Sequence, residues 1–202
     1  MTIEKKISHR FRGFLPIVVD LETAGFNCQT DALLELAAIQ IGYNSENQMV
    51  PLHTHHYHIQ PFQGANLERA ALDFLNLDPT HPFRFAVEES VALNELFDII
   101  SAAVKEQHCQ RAILVGHNAF FDLGFMNEAS SRCNLKHNPF HRFTTLDTAS
   151  LGALVYGQTV LAKSLRAAHI PFDLKQAHGA LYDAQCTAEL FCKIVNLWDN
   201  LS

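Results

Sequence analysis

Residues 15–26 read LPIVVDLETAGF, and the reading of this stretch decides the rest. An apolar run rich in β-branched residues is the pattern of a buried strand. The run ends by delivering two acids, Asp20 and Glu22, one residue apart. Residues i and i+2 of a strand share a face, so both carboxylates point into one small volume. Two such charges a few ångströms apart repel by about 4 kcal/mol at an effective dielectric near 20. A hard divalent cation with oxygen ligands offsets that repulsion, which makes Asp-x-Glu at a strand end a cradle for Mg²⁺ or Mn²⁺. The plainer alternative is a solvated strand end carrying two acids, and the remaining motifs must decide between them.

Outward from this strand, residues 31–35 are compatible with a turn of helix, and 36–43 (LAAIQIGY) alternate as a second strand closed by the polar turn Asn44 to Asn47. Residues 52–60 (LHTHHYHIQ) form a third strand stopped by Pro61, completing an antiparallel meander. His53, His55, His56 and His58 lie within it and raise the question of zinc. No cysteine completes such a set, and alternating polar side chains on a half-exposed strand are the ordinary outcome. A short helix over 66–74 is followed by a long amphipathic one over 87–107, with Val91, Leu93, Leu96, Phe97, Ile100 and Val104 at helical spacing. A buried strand at 112–115 leads to a helix over 121–133. A short strand at 145–147 precedes helices over 148–156, 160–168 and 180–197. Strands in a meander, then strands alternating with helices, predict an α/β fold: a mixed sheet flanked by helices, in a single domain over 1–202.

The chain has 202 residues, 48% of them hydrophobic, enough to bury a sizeable core. Five scattered cysteines, odd in number and without a C-x-x-C pair, indicate neither a disulfide framework nor a thiolate zinc site. No apolar run is long enough to span a membrane, and the first residues lack a signal-like apolar core, so a cytoplasmic location is expected. The formal charge of -6 argues against a protein that coats nucleic acid with a general positive surface. It leaves room for a local basic patch.

Two further motifs add acids to the first pair. Gly116-His117-Asn118-Ala119-Phe120-Phe121-Asp122 follows a buried strand and sets Asp122 in the first turn of a helix, where the dipole favours a carboxylate. His178-Gly179-Ala180-Leu181-Tyr182-Asp183 does the same for Asp183 at the last helix. Either alone could be a cap. In this order, D-x-E, H-N-x-x-F-D and H-x-A-x-x-D resemble the DEDDh 3′-to-5′ exonucleases over nearly the whole chain. VDLETAGFN, GANL, HNAFFD, NPFHRF, LDTA and AHGALYDA narrow the resemblance to the ribonuclease T-like exoribonucleases.

That resemblance implies a ribonuclease H-like fold, a homodimer, and trimming of the 3′ ends of transfer and other stable RNAs. It also implies dependence on Mg²⁺, two ions per site, with Mn²⁺ as a substitute. Two metals stabilise the attacking and leaving oxygens of phosphodiester hydrolysis together. Asp20 is placed to bridge them, with Glu22, Asp122 and Asp183 completing their oxygen shells. His178, with an ordinary pKa near 6.5, suits removal of a proton from the attacking water, and a neutral imidazole is also a metal ligand. Asp147 of LDTA reads as an acid that orients its neighbours. Phe26, Phe74, Phe121 and Phe143 match positions that stack on 3′-terminal bases, while Phe120 reads as the residue that packs inward, since adjacent helical residues face different ways. Arg10, Arg12, Lys105, Arg111 and Lys136 match basic residues that hold RNA, one subunit's patch serving the other's metal site. Ala70 stands where the family carries a glutamate that helps to discriminate the terminal base, with Glu68 nearby but out of register. This departure predicts weaker reluctance to remove a terminal cytosine. Two other readings remain: the same chemistry on single-stranded DNA, and an RNA-binding module that kept the fold without the chemistry.

Overall fold

The computed structural model describes residues 4–201. Its centre is a five-stranded sheet in the order β3-β2-β1-β4-β5. Strand β1 (Phe14–Thr23) lies between β2 (Leu33–Tyr43) and β4 (Arg111–Gly116). The pairings of β1 with β2, and of β2 with β3 (Met49–His58), are antiparallel; those of β1 with β4, and of β4 with β5 (Phe140–Asp147), are parallel. Phe14 through Val19 are buried without a break, as the continuous apolar run requires of a strand covered on both faces. Pro16 is tolerated there because the ladder to β2 begins only at Ile17.

The helices are α1 (Arg69–Leu75), α2 (Glu89–Glu106), α3 (Phe120–Arg132), α4 (Thr148–Tyr156), α5 (Leu161–Ala167) and α6 (Ala180–Leu201). Helix α6 packs across β1, β2 and β3, while α2 and α3 pack against β4 and each other. Val18, Leu36, Leu96, Leu114, Met126 and Phe191 meet in the principal core. No helix of the described residues is long and apolar enough to cross a membrane.

The structure corrects several expected boundaries. Residues 33–35 are strand rather than helix, because β2 stays paired to β1 as far as Leu33 and Leu34 is buried in a small cluster with Ala24 and Ala32. Helix α1 starts at Arg69, since Asn66 is used in a bridge to Asp31. Strand β5 starts at Phe140, whose ring is buried against Phe97 at 6.2 Å and whose backbone pairs with Ala112. Helix α6 continues past residue 197 to Leu201.

Candidate active site

The acids of the quoted stretch stand where the parallel part of the sheet has ended. β4 pairs with β1 only as far as Val18, so Asp20 and Glu22 overhang a crevice beyond the carboxyl ends of β4 and β5. Two helices begin at this crevice, α3 with Asp122 in its first turn and α6 with Asp183 in its own. Carboxylate oxygens of Asp20, Glu22 and Asp183 lie within 4.8 Å of one another. Asp122 and the His178 ring are outside this tight group. Asp122 is buried, accepts the Leu21 backbone N–H and is electrostatically coupled to Asp20. Gly116 makes its approach feasible: a Cβ on Gly116 would lie 3.3 Å from Asp122 Oδ2 and 3.1 Å from Ala119 Cα.

Crowding and burial together leave these acids poorly ionised. Burial, then the charges of Asp122, Glu22, Asp183 and Glu35, push the Asp20 carboxyl well above the usual range. Burial, with Asp183 and Glu35, pushes Glu22 up to about 8. Asp122 is raised well above its ordinary value, burial outweighing its backbone hydrogen bonds. Asp183 is raised by burial against the opposing pull of His178, whose N–H donates to Asp183 Oδ2 at 3.1 Å. Asp183 Oδ1 is buried without any hydrogen-bond partner. A buried, unsatisfied carboxylate oxygen facing two more carboxylates is the environment a divalent cation satisfies and water-filled surface does not. The donor set is all oxygen, which suits Mg²⁺ or Mn²⁺.

His178 is exposed and sits at φ +68°, in the left-handed region uncommon for residues other than glycine. Its ring lies 4.4 Å from that of Phe74. Asp147, at the end of β5, accepts from Ala149 N at 2.7 Å, Ala119 N at 3.0 Å and Asn118 N at 3.3 Å. It therefore caps α4 and fixes the turn into α3 that presents Asp122.

A pocket of about 440 Å³ opens beside Glu22, lined by Phe26, Glu68, Ala70, Phe74 and Phe121 among others. Phe26 is 85% exposed and Phe74 65%, large apolar surfaces that a core would have buried. The Phe26 ring meets Phe121 edge-on at 6.2 Å, and Phe121 rests on Phe125 at 4.9 Å. Phe143 does not line this pocket; its ring meets that of His141, also on β5, edge-on at 4.7 Å. Phe120 reverses its expected role. It is 75% exposed, off the side of α3 that buries Asp122, Leu123, Phe125 and Met126, whereas half-buried Phe121 leans on Phe125. The turn carrying Phe26 depends on Gly25: a Cβ there would lie 2.1 Å from Asp31 Oδ2. Hydrogen bonds from Asn66, Asn27 and Thr30 outweigh burial and hold the Asp31 carboxyl below its ordinary value.

The basic residues gather at the opposite end of β1. Lys105 and Arg111 line one groove with Gln110, and Gln110 N donates to Gly13 O next to Arg12. Phe14 pairs with Arg111. Arg12 lies over the Phe14 ring, Arg10 is tied to Asp199, and Lys136 is exposed on the turn before β5. Six residues of strand, about 20 Å at the usual rise, separate Phe14 from Asp20. Within one chain, the basic end and the acids do not share a surface patch.

One acid at the crevice escaped the sequence reading. Glu35 pairs with Glu22 across the ladder and is buried, raising the pKa of both Glu22 and Asp20. No local signal marks it: only the strand register, which carries the pairing one residue beyond Leu36, puts Glu35 opposite Glu22.

Comparison with known proteins agrees with this geometry. The chain matches the Exonuclease family over residues 17–191. It is 55% identical over 195 residues to ribonuclease T of Yersinia enterocolitica, covering 96% of this chain and 91% of that one. Against ribonuclease T of Vibrio campbellii it is 54% identical over 205 residues, covering 100% and 96%. Among solved structures, E. coli exonuclease I in complex with a dT13 oligonucleotide superposes with a TM-score of 0.67 at 15% identity, over 93% of this chain but only 43% of that one. A full-length 3′-exonuclease superposes with a TM-score of 0.68 at 16% identity, over 92% of this chain and 82% of that one. These likenesses place the sheet and its helices in the ribonuclease H-like exonuclease fold. With relatives above half identity along nearly its whole length, the chain belongs to the ribonuclease T family of 3′-to-5′ exoribonucleases.

Proposed function

We propose that this exoribonuclease trims the 3′ ends of transfer and other stable RNAs in the cytoplasm, releasing 5′-mononucleotides. It acts as a homodimer in which residues 1–202 form a single catalytic unit. The observation that carries this reading is the convergence of Asp20, Glu22 and Asp183 within 4.8 Å, beside a pocket walled by exposed Phe26 and Phe74.

Asp20, Glu22, Asp122 and Asp183 would hold two Mg²⁺ ions, with Mn²⁺ as a substitute. When bound, the ions supply positive charge to the oxygens that gain negative charge during hydrolysis. The protein's own groups do the rest. Phe26, Phe74 and Phe121 stack on the terminal bases, and Phe143 meets the chain further along; each stacked ring contributes about 1–3 kcal/mol whatever the base. That grip sets the scissile phosphate over the acids. His178, on its exposed turn, would take the proton from the attacking water, and its ring would serve as a further metal ligand in the resting site. Phe74, in tilted contact with the His178 ring, couples the seating of a base to the position of the proton acceptor. Asp147 keeps Asp122 aimed without touching substrate.

The separation of about 20 Å between the acids and the basic end supports a dimer in which Arg10, Arg12, Lys105, Arg111 and Lys136 of one subunit hold RNA for the other. Ala70 leaves its part of the pocket wall apolar, while Glu68 brings a carboxylate to the same pocket at another point.

A 3′-tailed RNA hairpin incubated with and without EDTA tests the proposal through the ends of its products. Loss of single 5′-mononucleotides from the tail, arrested by EDTA, is expected. Internal cleavage, or activity that survives EDTA, overturns it. A matched single-stranded DNA run alongside tests the competing substrate.

A further inference from the structure

The geometry points to a third divalent-cation site, of zinc type, made by Glu35, His56 and His58 next to the acidic crevice. It stands whether or not the acids play the roles proposed above. His56 and His58 are two residues apart on β3 and so share a face, and Glu35 of β2 is the direct register partner of His58. One ligand atom from each of the three lies within 4.8 Å of the others. Glu35 Oε1 and His56 Nε2 are 2.5 Å apart, and the two imidazole rings are 4.8 Å apart.

A simple carboxylate–imidazole hydrogen bond explains Glu35 and His56 but leaves His58 unaccounted for. His58 Nδ1 is buried and has no hydrogen-bond partner, a condition rare for a ring nitrogen and relieved by a bound cation. The nearby cation of the chain does not relieve it, since the Arg84 guanidinium is committed to Leu34 O at 2.7 Å and Pro79 O at 3.0 Å. Two imidazoles and a carboxylate are ligands that Zn²⁺ accepts with a water in the fourth place, whereas Mg²⁺ prefers oxygen alone. This chemistry sets the site apart from the all-oxygen set across the ladder. Four strand histidines without a cysteine looked incomplete in the sequence because the third ligand comes from the neighbouring strand.

Co²⁺ distinguishes the two environments, absorbing strongly when four-coordinate with imidazole ligands and weakly when six-coordinate with oxygen. It is added to the full chain carrying Asp20→Asn and Asp183→Asn, which dismantles the acidic set. One strongly absorbing ion per chain is expected, with the bands lost on adding His56→Gln or His58→Gln while the far-ultraviolet circular dichroism is unchanged. X-ray absorption of one equivalent of Zn²⁺ in the same parent should count two imidazoles, a reading that needs no histidine variant to fold. A weak six-coordinate cobalt spectrum, bands that survive either folded histidine variant, or a zinc shell with fewer than two imidazoles would each overturn the site.

Discussion

Glu22 on β1 and Glu35 on β2 face each other directly across an antiparallel ladder, two acids in a register position where a sheet ordinarily sets opposite charges. Burial above all, then the charge of Asp183, and lastly this facing Glu35, keep a proton on Glu22 up to about 8 in the metal-free protein, against an ordinary value of 4.5. A folded pKa raised above the unfolded one means that the folded state keeps the proton while the unfolded chain releases it. Stability of the metal-free protein therefore falls as pH rises from 4.5 towards about 8. Asp20, Asp122 and Asp183, also raised, add to the same slope. Divalent cations bind the deprotonated acids, so their stabilising effect should grow over the same interval. Melting temperatures with EDTA and with Mg²⁺, measured across that range, should diverge as pH increases; parallel curves would contradict the assignment.

Asp20→Asn should abolish hydrolysis and leave the melting temperature of the metal-free protein unchanged or raised, because it removes one partner of a repulsive set. Full turnover in this variant would exclude Asp20 from the chemistry. Turnover assays and thermal melts on the one preparation give both readings.

His178→Ala should lower kcat by roughly 10²–10⁴-fold, the usual contribution of a proton-transfer group. Mg²⁺ uptake, followed by calorimetry, should persist because the carboxylates are untouched. Unaltered turnover would remove His178 from the mechanism.

Phe26 is 85% exposed, so Phe26→Ala should leave the melting temperature within about a degree of the parent while raising KM. Loss of about 1–3 kcal/mol of stacking corresponds to roughly a fivefold to 150-fold rise. Phe125→Ala provides the contrast, since that ring is 1% exposed and its loss should cost about 3–5 kcal/mol of stability.

RNAs differing only in their last base should be trimmed at similar rates, terminal cytosine included, because Ala70 presents no hydrogen-bonding group to the pocket. Strong stalling at cytosine would show that Glu68 or another wall residue discriminates instead.

Much of this molecule is legible in its sequence, and the parts that are not share a cause. The stretch ending in Asp20 and Glu22 announces a central strand because its apolar run is unbroken, and the first-turn positions of Asp122 and Asp183 follow from Gly116 and Gly179 just before their helices. Pairing between distant strands leaves no local signal. Glu35 opposite Glu22, its meeting with His56 and His58, and the start of β5 at Phe140 are all set by register. The choice between Phe120 and Phe121 was decided by the buried Phe125 one turn later, against which Phe121 leans while Phe120 faces outward. The basic residues could be named from the sequence, but only the path of β1 shows them at the far end of the sheet from the acids.

Asp183 belongs to the 22-residue helix α6, anchored along three strands, whereas His178 stands five positions earlier on an exposed turn outside any helix. On the mechanism proposed above, a protease nick in that turn would silence catalysis yet spare the acids. Loss of turnover and loss of ion uptake are therefore separable injuries, and a damaged enzyme could continue to sequester RNA tails that it no longer shortens.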